Sequence, residues 1–196
     1  MPLPAGFYDQ DTLTVARGLL GARLVRMLDG VRVSGLITET EAYDGETDLA
    51  CHARAGLTAR TRVMYGPPGR AYVYFTYGMH WMLNAVCGPA GFPAAVLIRA
   101  VQIDSGQELV AARRKGIGPA HWTDGPGKLA RALAIDSAQN NIDLTGTADG
   151  LWIEAGRQIS AESVTIGPRV GLYTVPEPWK SIPWRFLVTG LSNLEE

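Results

Sequence analysis

Two glutamates near the end of a strand-like run are the first residues that could do chemistry. Residues 37–43 read Ile-Thr-Glu-Thr-Glu-Ala-Tyr, and alternate side chains of a β-strand point to one face, so Ile37, Glu39, Glu41 and Tyr43 are expected to share a face. Such carboxylates could form a solvated strand edge. They could also be catalytic, because a carboxylate stabilises the oxocarbenium-like state of a breaking glycosidic bond and activates the attacking water.

The segment 72–84 is unusually aromatic: six of its thirteen residues are aromatic when His80 is counted. Part of it could be sheet core, but each buried tyrosine hydroxyl then needs a hydrogen-bond partner. Tyr77 precedes Gly78, which marks a sharp bend from which a side chain can project. An aromatic side chain projecting into an arginine-lined groove could wedge between base pairs, and aromatic faces beside it could hold an extruded base.

The distribution of charge favours a polyanionic partner, although the total does not. A net charge of −1 argues mildly against nucleic acid, which normally leaves a basic footprint. Yet no Asp or Glu occurs between Asp48 and Asp104, whereas 19 evenly spaced acids would put about five there. Burial in a sheet would explain the missing acids of 71–98 but not the arginines of 54–70, so this loop predicts a cationic surface.

Several other classes of site lack the necessary spacing. Residues 125–128 (Gly-Pro-Gly-Lys) resemble a phosphate loop, but the Walker spacing fails, and a structural turn and a phosphate contact are equally good interpretations. Three histidines and two cysteines match no zinc spacing, so no metal is expected. Neither a deaminase pattern nor a nucleophile elbow is present. Without a signal peptide or a long apolar run, we expect an intracellular protein that does not enter membranes.

The elements that must position these residues do not alternate as βαβ units. A helix is predicted over 12–20 with Asp11 or Asp9 as cap, a hairpin at Asp29-Gly30, and a long functional loop over 44–70. Further helices are predicted from Ser105, as the cap, to Lys115 and from about 126 to 135. Strands are predicted over 71–77, 79–86, 94–101, 151–155, 162–166 and 184–189. Residues 1–196 are thus expected to form one mixed α+β domain with a curved, largely antiparallel sheet flanked by short helices.

Seven stretches of the sequence, taken in order, carry a resemblance to a known protein family. They are 16–21 (ARGLLG), 39–43 (ETEAY), 52–66 (from His52 to Met64-Tyr65-Gly66), 72–84, 96–100 (VLIRA), 125–129 (GPGKL), and 168–171 (PRVG) with 184–186 (WRF). Through these stretches the chain resembles the alkyladenine DNA glycosylase (3-methyladenine DNA glycosylase) family. Together they are distributed over nearly the whole chain. The resemblance implies a single-domain, monomeric enzyme of base excision repair that binds double-stranded DNA containing a damaged purine and needs no metal or cofactor.

The resemblance also implies roles for individual residues. Glu41 would be the general base that activates the hydrolytic water, and Arg99 would help to hold that water. Tyr77 would fill the gap left by the flipped nucleotide. Tyr43, His52 and Tyr74 would line the base pocket, and Asn84 would screen purines by rejecting the exocyclic amine of guanine. The residues expected to contact the DNA backbone are Arg54, Arg60, Arg62 and Lys128.

Three departures from the family pattern leave the substrate range open. The loop 58–62 lacks the Pro and Asn that relatives tend to have around its first arginine, residues 101–103 read Val-Gln-Ile rather than Leu-Glu-Pro, and His80 replaces a tyrosine of some relatives. The expected lesions are alkylated or deaminated purines: those of the 3-methyladenine class, hypoxanthine and ethenoadenine. The alternatives are a non-catalytic damaged-DNA-binding module and a hydrolase of free nucleosides.

Overall fold

The computed structural model describes residues 1–190, which form an α+β fold with one open antiparallel sheet and a few short helices. The helices are α1 (Ala5–Tyr8), α2 (Thr12–Gly18), α3 (Gln107–Arg113) and α4 (Pro126–Ala132). The strands are β1 (Arg23–Leu28), β2 (Val31–Asp44), β3 (Ala71–Thr76), β4 (His80–Cys87), β5 (Ala94–Ser105), β6 (Leu151–Glu154), β7 (Val164–Gly167) and β8 (Arg185–Val188). Single 3-10 turns lie at His52–Ala55, Arg62–Tyr65, Pro119–His121, Ser137–Gln139 and Ala161–Ser163.

The long strand β2 organises the sheet. The main strand order is β3-β4-β5-β2-β1-β6, and every pairing is antiparallel. Residues 31–36 of β2 pair with β1, whereas residues 39–41 pair with β8, which in turn pairs with β7. One strand therefore has two successive partners along the same edge, and it brings β8 beside Glu39 and Glu41.

Two tight turns follow local sequence signals. Asp29 and Gly30 both have positive φ (50° and 80°), as the predicted hairpin between β1 and β2 requires. Tyr77 and Gly78 also have positive φ (52° and 68°), and the Met79 N–H donates to the Thr76 carbonyl to close the turn between β3 and β4. The first turn uses residues that accept this conformation, whereas the second places a bulky aromatic in it.

The two faces of the β4–β5 region are buried by different parts of the chain. On one face, side chains of the strands pack with α2 and α4 in the main hydrophobic core, which includes Leu19, Leu24, Leu83, Ile98 and Leu129. On the other face, the loop 45–70 covers a smaller cluster of Cys51, Ala53, Met64, Tyr72, Val86 and Ala95. The predicted site residues lie beside this second cluster, so the sheet separates the main core from the site.

Two local predictions were wrong. Ile37 does not share a face with Glu39, Glu41 and Tyr43: it packs in the main core, because register shifts on either side of Glu39 reverse the alternation. Ser105 is the last residue of β5 rather than a helix cap, since β5 runs longer than predicted and α3 starts after Gly106, whose φ is +74°. Asp11 is the cap of α2 as predicted, and its carboxylate accepts a hydrogen bond from the Thr14 N–H.

None of the helices in residues 1–190 has the length and the apolar character that crossing a membrane would require.

Candidate active site

An open cavity of about 300 Å³ lies on the loop-covered face of the sheet. Its walls come from β3, β4 and β5, from the loop 45–70, from the start of α4 and from the segment 170–172. Of the residues predicted for the site, six line this one cavity: Tyr43, His52, Tyr74, Tyr77, Asn84 and Arg99. These residues are spread over 57 positions of the chain, and the fold brings them to one cavity.

Glu41 lies directly behind the cavity wall, and its side chain is fully buried. Its Oε1 atom accepts a hydrogen bond from the Val170 N–H at 2.7 Å and lies 3.2 Å from Nη1 of Arg99. Its Oε2 atom accepts a hydrogen bond from the Tyr43 hydroxyl at 2.8 Å. All three partners line the cavity. A carboxylate offers about four acceptor positions, so these contacts leave one for a further donor on Oε2.

Burial raises the pKa of Glu41 above the usual value of a glutamate. The positive charge of Arg99 and the hydrogen bonds from Val170 and Tyr43 act in the opposite direction, and Glu39 adds to the rise. Burial has the larger effect on the pKa. It removes water from the carboxylate and thereby penalises the charged form. A carboxylate whose pKa is shifted upward towards neutrality is a stronger base than one in water, which suits proton abstraction.

One wall of the cavity is aromatic. The rings of His52 and Tyr74 meet edge to face, with their centroids 4.5 Å apart, and Nδ1 of His52 is 2.9 Å from the Tyr72 hydroxyl. Asn84 is buried beside them, and its Nδ2 donates to the Tyr72 carbonyl at 2.9 Å, which fixes the amide group. Partial burial and the nearby Arg60 and Arg54 lower the pKa of His52 to about 4, so this ring is neutral at pH 7.

Tyr77 stands at the rim of the same cavity and is 79% exposed. Its backbone lies in the left-handed region, which a bulky side chain rarely adopts and which costs about 1 kcal/mol or more. The turn therefore holds a large aromatic out from the body of the protein at an energetic cost. This is the projecting geometry that the Tyr-Gly pair predicts.

The four predicted DNA-contacting cations are exposed, and one of them, Arg60, contacts the aromatic wall of the cavity. Arg60 lies over the Tyr74 ring, 5.1 Å from its centroid, and its guanidinium is 3.4 Å from Nε2 of His52. Arg54 donates to the Leu49 carbonyl, and Arg62 lies in the next 3-10 turn. Lys128 comes from α4, where it pairs with Asp124 at 2.8 Å. Lys128 is therefore already partly neutralised, and a role of these four cations in DNA binding stays a prediction.

Comparison with known proteins decides the family. A sequence model of the methylpurine-DNA glycosylase (MPG) family matches residues 6–192, which is almost the whole chain. The chain belongs to this family. Membership makes it a DNA glycosylase, an enzyme of DNA repair, and its substrate is DNA that contains a damaged base.

Curated relatives agree with the methylpurine-DNA glycosylase assignment. A protein of Anaeromyxobacter dehalogenans is 48% identical over 192 residues, which cover 97% of this chain and 83% of the relative. A Methanocella arvoryzae protein is 46% identical (94% of this chain, 90% of the relative), and a Bacillus cereus protein is 43% identical (97% of each). Each is named "putative 3-methyladenine DNA glycosylase".

One part of this glycosylase's site could not be recognised as a pair in the sequence: the ion pair of Asp48 and Arg169, 121 residues apart. Both side chains are fully buried and meet through two contacts, and Nη1 of Arg169 also donates to the Ala42 carbonyl at 2.9 Å. The guanidinium lies 4.7 Å from the centroid of the Tyr43 ring. The pair ties the end of β2 to the segment whose next residue, Val170, donates to Glu41.

Proposed function

We propose that this glycosylase flips an alkylated or deaminated purine out of duplex DNA and hydrolyses its N-glycosidic bond with a water activated by Glu41. The observation that carries the proposal is the buried Glu41 carboxylate, held by Arg99, Tyr43 and Val170 behind a cavity with an aromatic wall. The expected substrates are 3-methyladenine and related alkylated purines, together with hypoxanthine and 1,N6-ethenoadenine.

The remaining acceptor position on Oε2 of Glu41 is where the hydrolytic water would donate. As that water attacks C1′ of the sugar, its proton passes to Glu41, and the electrons of the breaking C1′–N bond stay with the departing base. Attack on the face opposite the base inverts C1′ and leaves an abasic site. Arg99 lines the cavity and contacts Glu41, so it can hold the same water through a second hydrogen bond.

The aromatic wall suits an alkylated purine for an electrostatic reason. Purines such as 3-methyladenine carry a positive charge, and the electron-rich faces of tyrosine rings attract cations. The low pKa of His52 leaves this ring neutral at pH 7, so the imidazole itself does not repel a cationic base. A cationic base is also a good leaving group, so a single carboxylate can suffice where sugar hydrolases use an additional acid.

Base release by the wild-type enzyme tests the proposal. We expect release from methylated duplex DNA and from oligonucleotides with one hypoxanthine or ethenoadenine, and none from the corresponding free nucleosides, because DNA contacts remote from the bond orient the reacting centre. An enzyme that binds the lesion-containing duplexes but releases no base would be the non-catalytic binding module. An enzyme that cleaves free nucleosides as fast as DNA would be a small-molecule hydrolase.

Tyr77→Asn is expected to stabilise the protein while it impairs repair. Asparagine tolerates positive φ better than tyrosine, so the free energy of unfolding should rise by up to about 1 kcal/mol. Without the ring, base release from a paired lesion should slow about tenfold, since stacking on a base contributes ~1–3 kcal/mol. Urea unfolding and single-turnover base release measure the two effects.

The matched control is Asp29→Asn, which changes a positive-φ residue of the other hairpin and should leave base release unchanged. The same lesion in single-stranded DNA separates a wedge role of Tyr77 from any other role. Flipping a base out of a single strand leaves no gap in a duplex that a side chain must fill. A Tyr77→Asn enzyme that is equally slow on the paired and the unpaired lesion would show that Tyr77 does not act as a wedge.

A further inference from the structure

Glu39 belongs to the same ion-pair chain as Glu41 but lies on the other side of Arg99. Its Oε1 atom accepts from Nε of Arg99 at 2.8 Å and from Nε of Arg185 at 2.5 Å. The carboxylate is nearly buried and faces a second cavity, formed by β5, residues 119–124 and β8. Arg185, in β8, is 30% exposed. Four side chains of alternating charge therefore lie in a row from the surface to the proposed general base: Arg185, Glu39, Arg99 and Glu41.

The two carboxylates compete for one guanidinium. Arg99 lies 2.8 Å from Glu39 but 3.2 Å from Glu41, so the shorter contact is the one to Glu39. A guanidinium that faced a single carboxylate could bind it through two parallel hydrogen bonds and would make it a much weaker base. Because Arg99 is shared, Glu41 receives only part of that stabilisation.

We propose that Glu39 and Arg185 are positioning residues that set how strongly Arg99 engages Glu41, and thereby the basicity of the catalytic carboxylate. Arg185 holds Glu39 from the side of β8, which limits how strongly Glu39 attracts Arg99. The proposal rests on the proposed role of Glu41 as the general base. It explains why a second buried glutamate and a second arginine stand behind a cavity that neither of them lines.

Among the described residues, the other groups that face Glu41 make no hydrogen bond or ion pair with Glu39 or Arg185. Tyr43 and the Val170 N–H bind the carboxylate directly, and Tyr74 lies on the cavity side. Arg169 contacts the Tyr43 ring, but its charge is balanced by Asp48. A change at Glu39 or Arg185 therefore reaches Glu41 through Arg99 and through the altered charge alone.

The two variants should shift the pH profile of base release in opposite directions. Glu39→Gln removes a negative charge that raises the pKa of Glu41 and frees Arg99 to bind Glu41, so the acid limb should move to lower pH. Arg185→Gln leaves Glu39 free to draw Arg99 away, so the acid limb should move to higher pH. We expect shifts of roughly 0.5–1 pH unit, below the 1–3 units that a charge in direct contact causes.

The experiment is the single-turnover rate of hypoxanthine and ethenoadenine release between pH 4.5 and 9, with melting temperatures to check folding. Arg185→Lys keeps the charge and should retain the wild-type limb. Arg32→Gln breaks a comparable ion pair with Glu154 at the far end of β2, roughly 30 Å away, and should also leave it unchanged. If Glu39→Gln does not fold, the Arg185 variants still allow the test, because the Arg185 side chain is partly exposed.

Opposite shifts support the proposal. Limbs that coincide with the wild type, or that move in the same direction, overturn it while leaving Glu41 as the base, provided that Glu41→Gln is inactive. A wild-type profile without an acid limb, or an active Glu41→Gln enzyme, overturns the role of Glu41 and the proposal with it.

Discussion

Glu41→Gln is expected to release damaged bases at least about 100-fold more slowly than the wild type while it still binds lesion-containing duplexes. Glutamine keeps the size of the side chain and an acceptor for the Val170 N–H, but it cannot take a proton from water. Single-turnover base release and DNA-binding titrations measure the two properties separately. A variant that retained more than a tenth of the wild-type rate would show that another group activates the water.

The same substitution should not destabilise the protein at neutral pH. The pKa of Glu41 is higher in the folded state than in the unfolded chain, so its contribution to stability is fully present below the unfolded pKa and is lost as the pH rises through the folded pKa. Glutamine resembles the protonated form. We therefore expect a melting temperature at pH 7.5 at or above that of the wild type, with the difference shrinking towards pH 4.5.

Taken together, these expectations distinguish a catalytic carboxylate from a structural one. A buried ion pair that existed for stability would lose stability when one partner was neutralised. Loss of activity without loss of stability is the signature of a group held in an unfavourable state for its function, and Tyr77 in its strained turn belongs to the same class. Glu41→Gln combined with a lower melting temperature would contradict this interpretation.

Features that depend on near neighbours in the sequence could be predicted. The Asp29-Gly30 hairpin, the Asp11 cap and the projecting Tyr77 follow from the backbone preferences of one to three residues. The side-by-side placement of Glu41 and Tyr43 follows from strand alternation, and their hydrogen bond agrees with it. Their assignment to a base pocket came from the family resemblance, because spacing alone favoured a solvated strand edge.

Features that depend on distant segments could not be predicted. The irregular register around Glu39 turns Ile37 into the core, and nothing in residues 37–43 indicates it, because the bulge arises from pairing with β5. The contact of Glu39 with Arg185 spans 146 positions and requires β8 to lie beside β2. Composition indicates neither pairing, since each charge taken alone resembles an ordinary surface residue.

The ion pair of Asp48 and Arg169 predicts the largest effect on stability. Asp48→Asn leaves a fully buried guanidinium without its charge partner, and we expect a loss of about 3–5 kcal/mol in the free energy of unfolding. Urea unfolding at pH 7.5 measures the loss. Asp124→Asn is the matched control, because its pair with Lys128 is solvent-exposed and should change the free energy by about 1 kcal/mol or less.

The double variant Asp48→Leu with Arg169→Met separates the cost of an unpaired charge from the value of the pair. It leaves no uncompensated charge, so it should recover a large part of the stability that Asp48→Asn loses. It should not recover base release in full, because Arg169 also holds the segment whose Val170 N–H binds Glu41. A double variant with wild-type stability and a wild-type rate would show that hydrophobic packing can replace the clamp. Stability without activity would instead show that the buried charges position the Glu41 carboxylate.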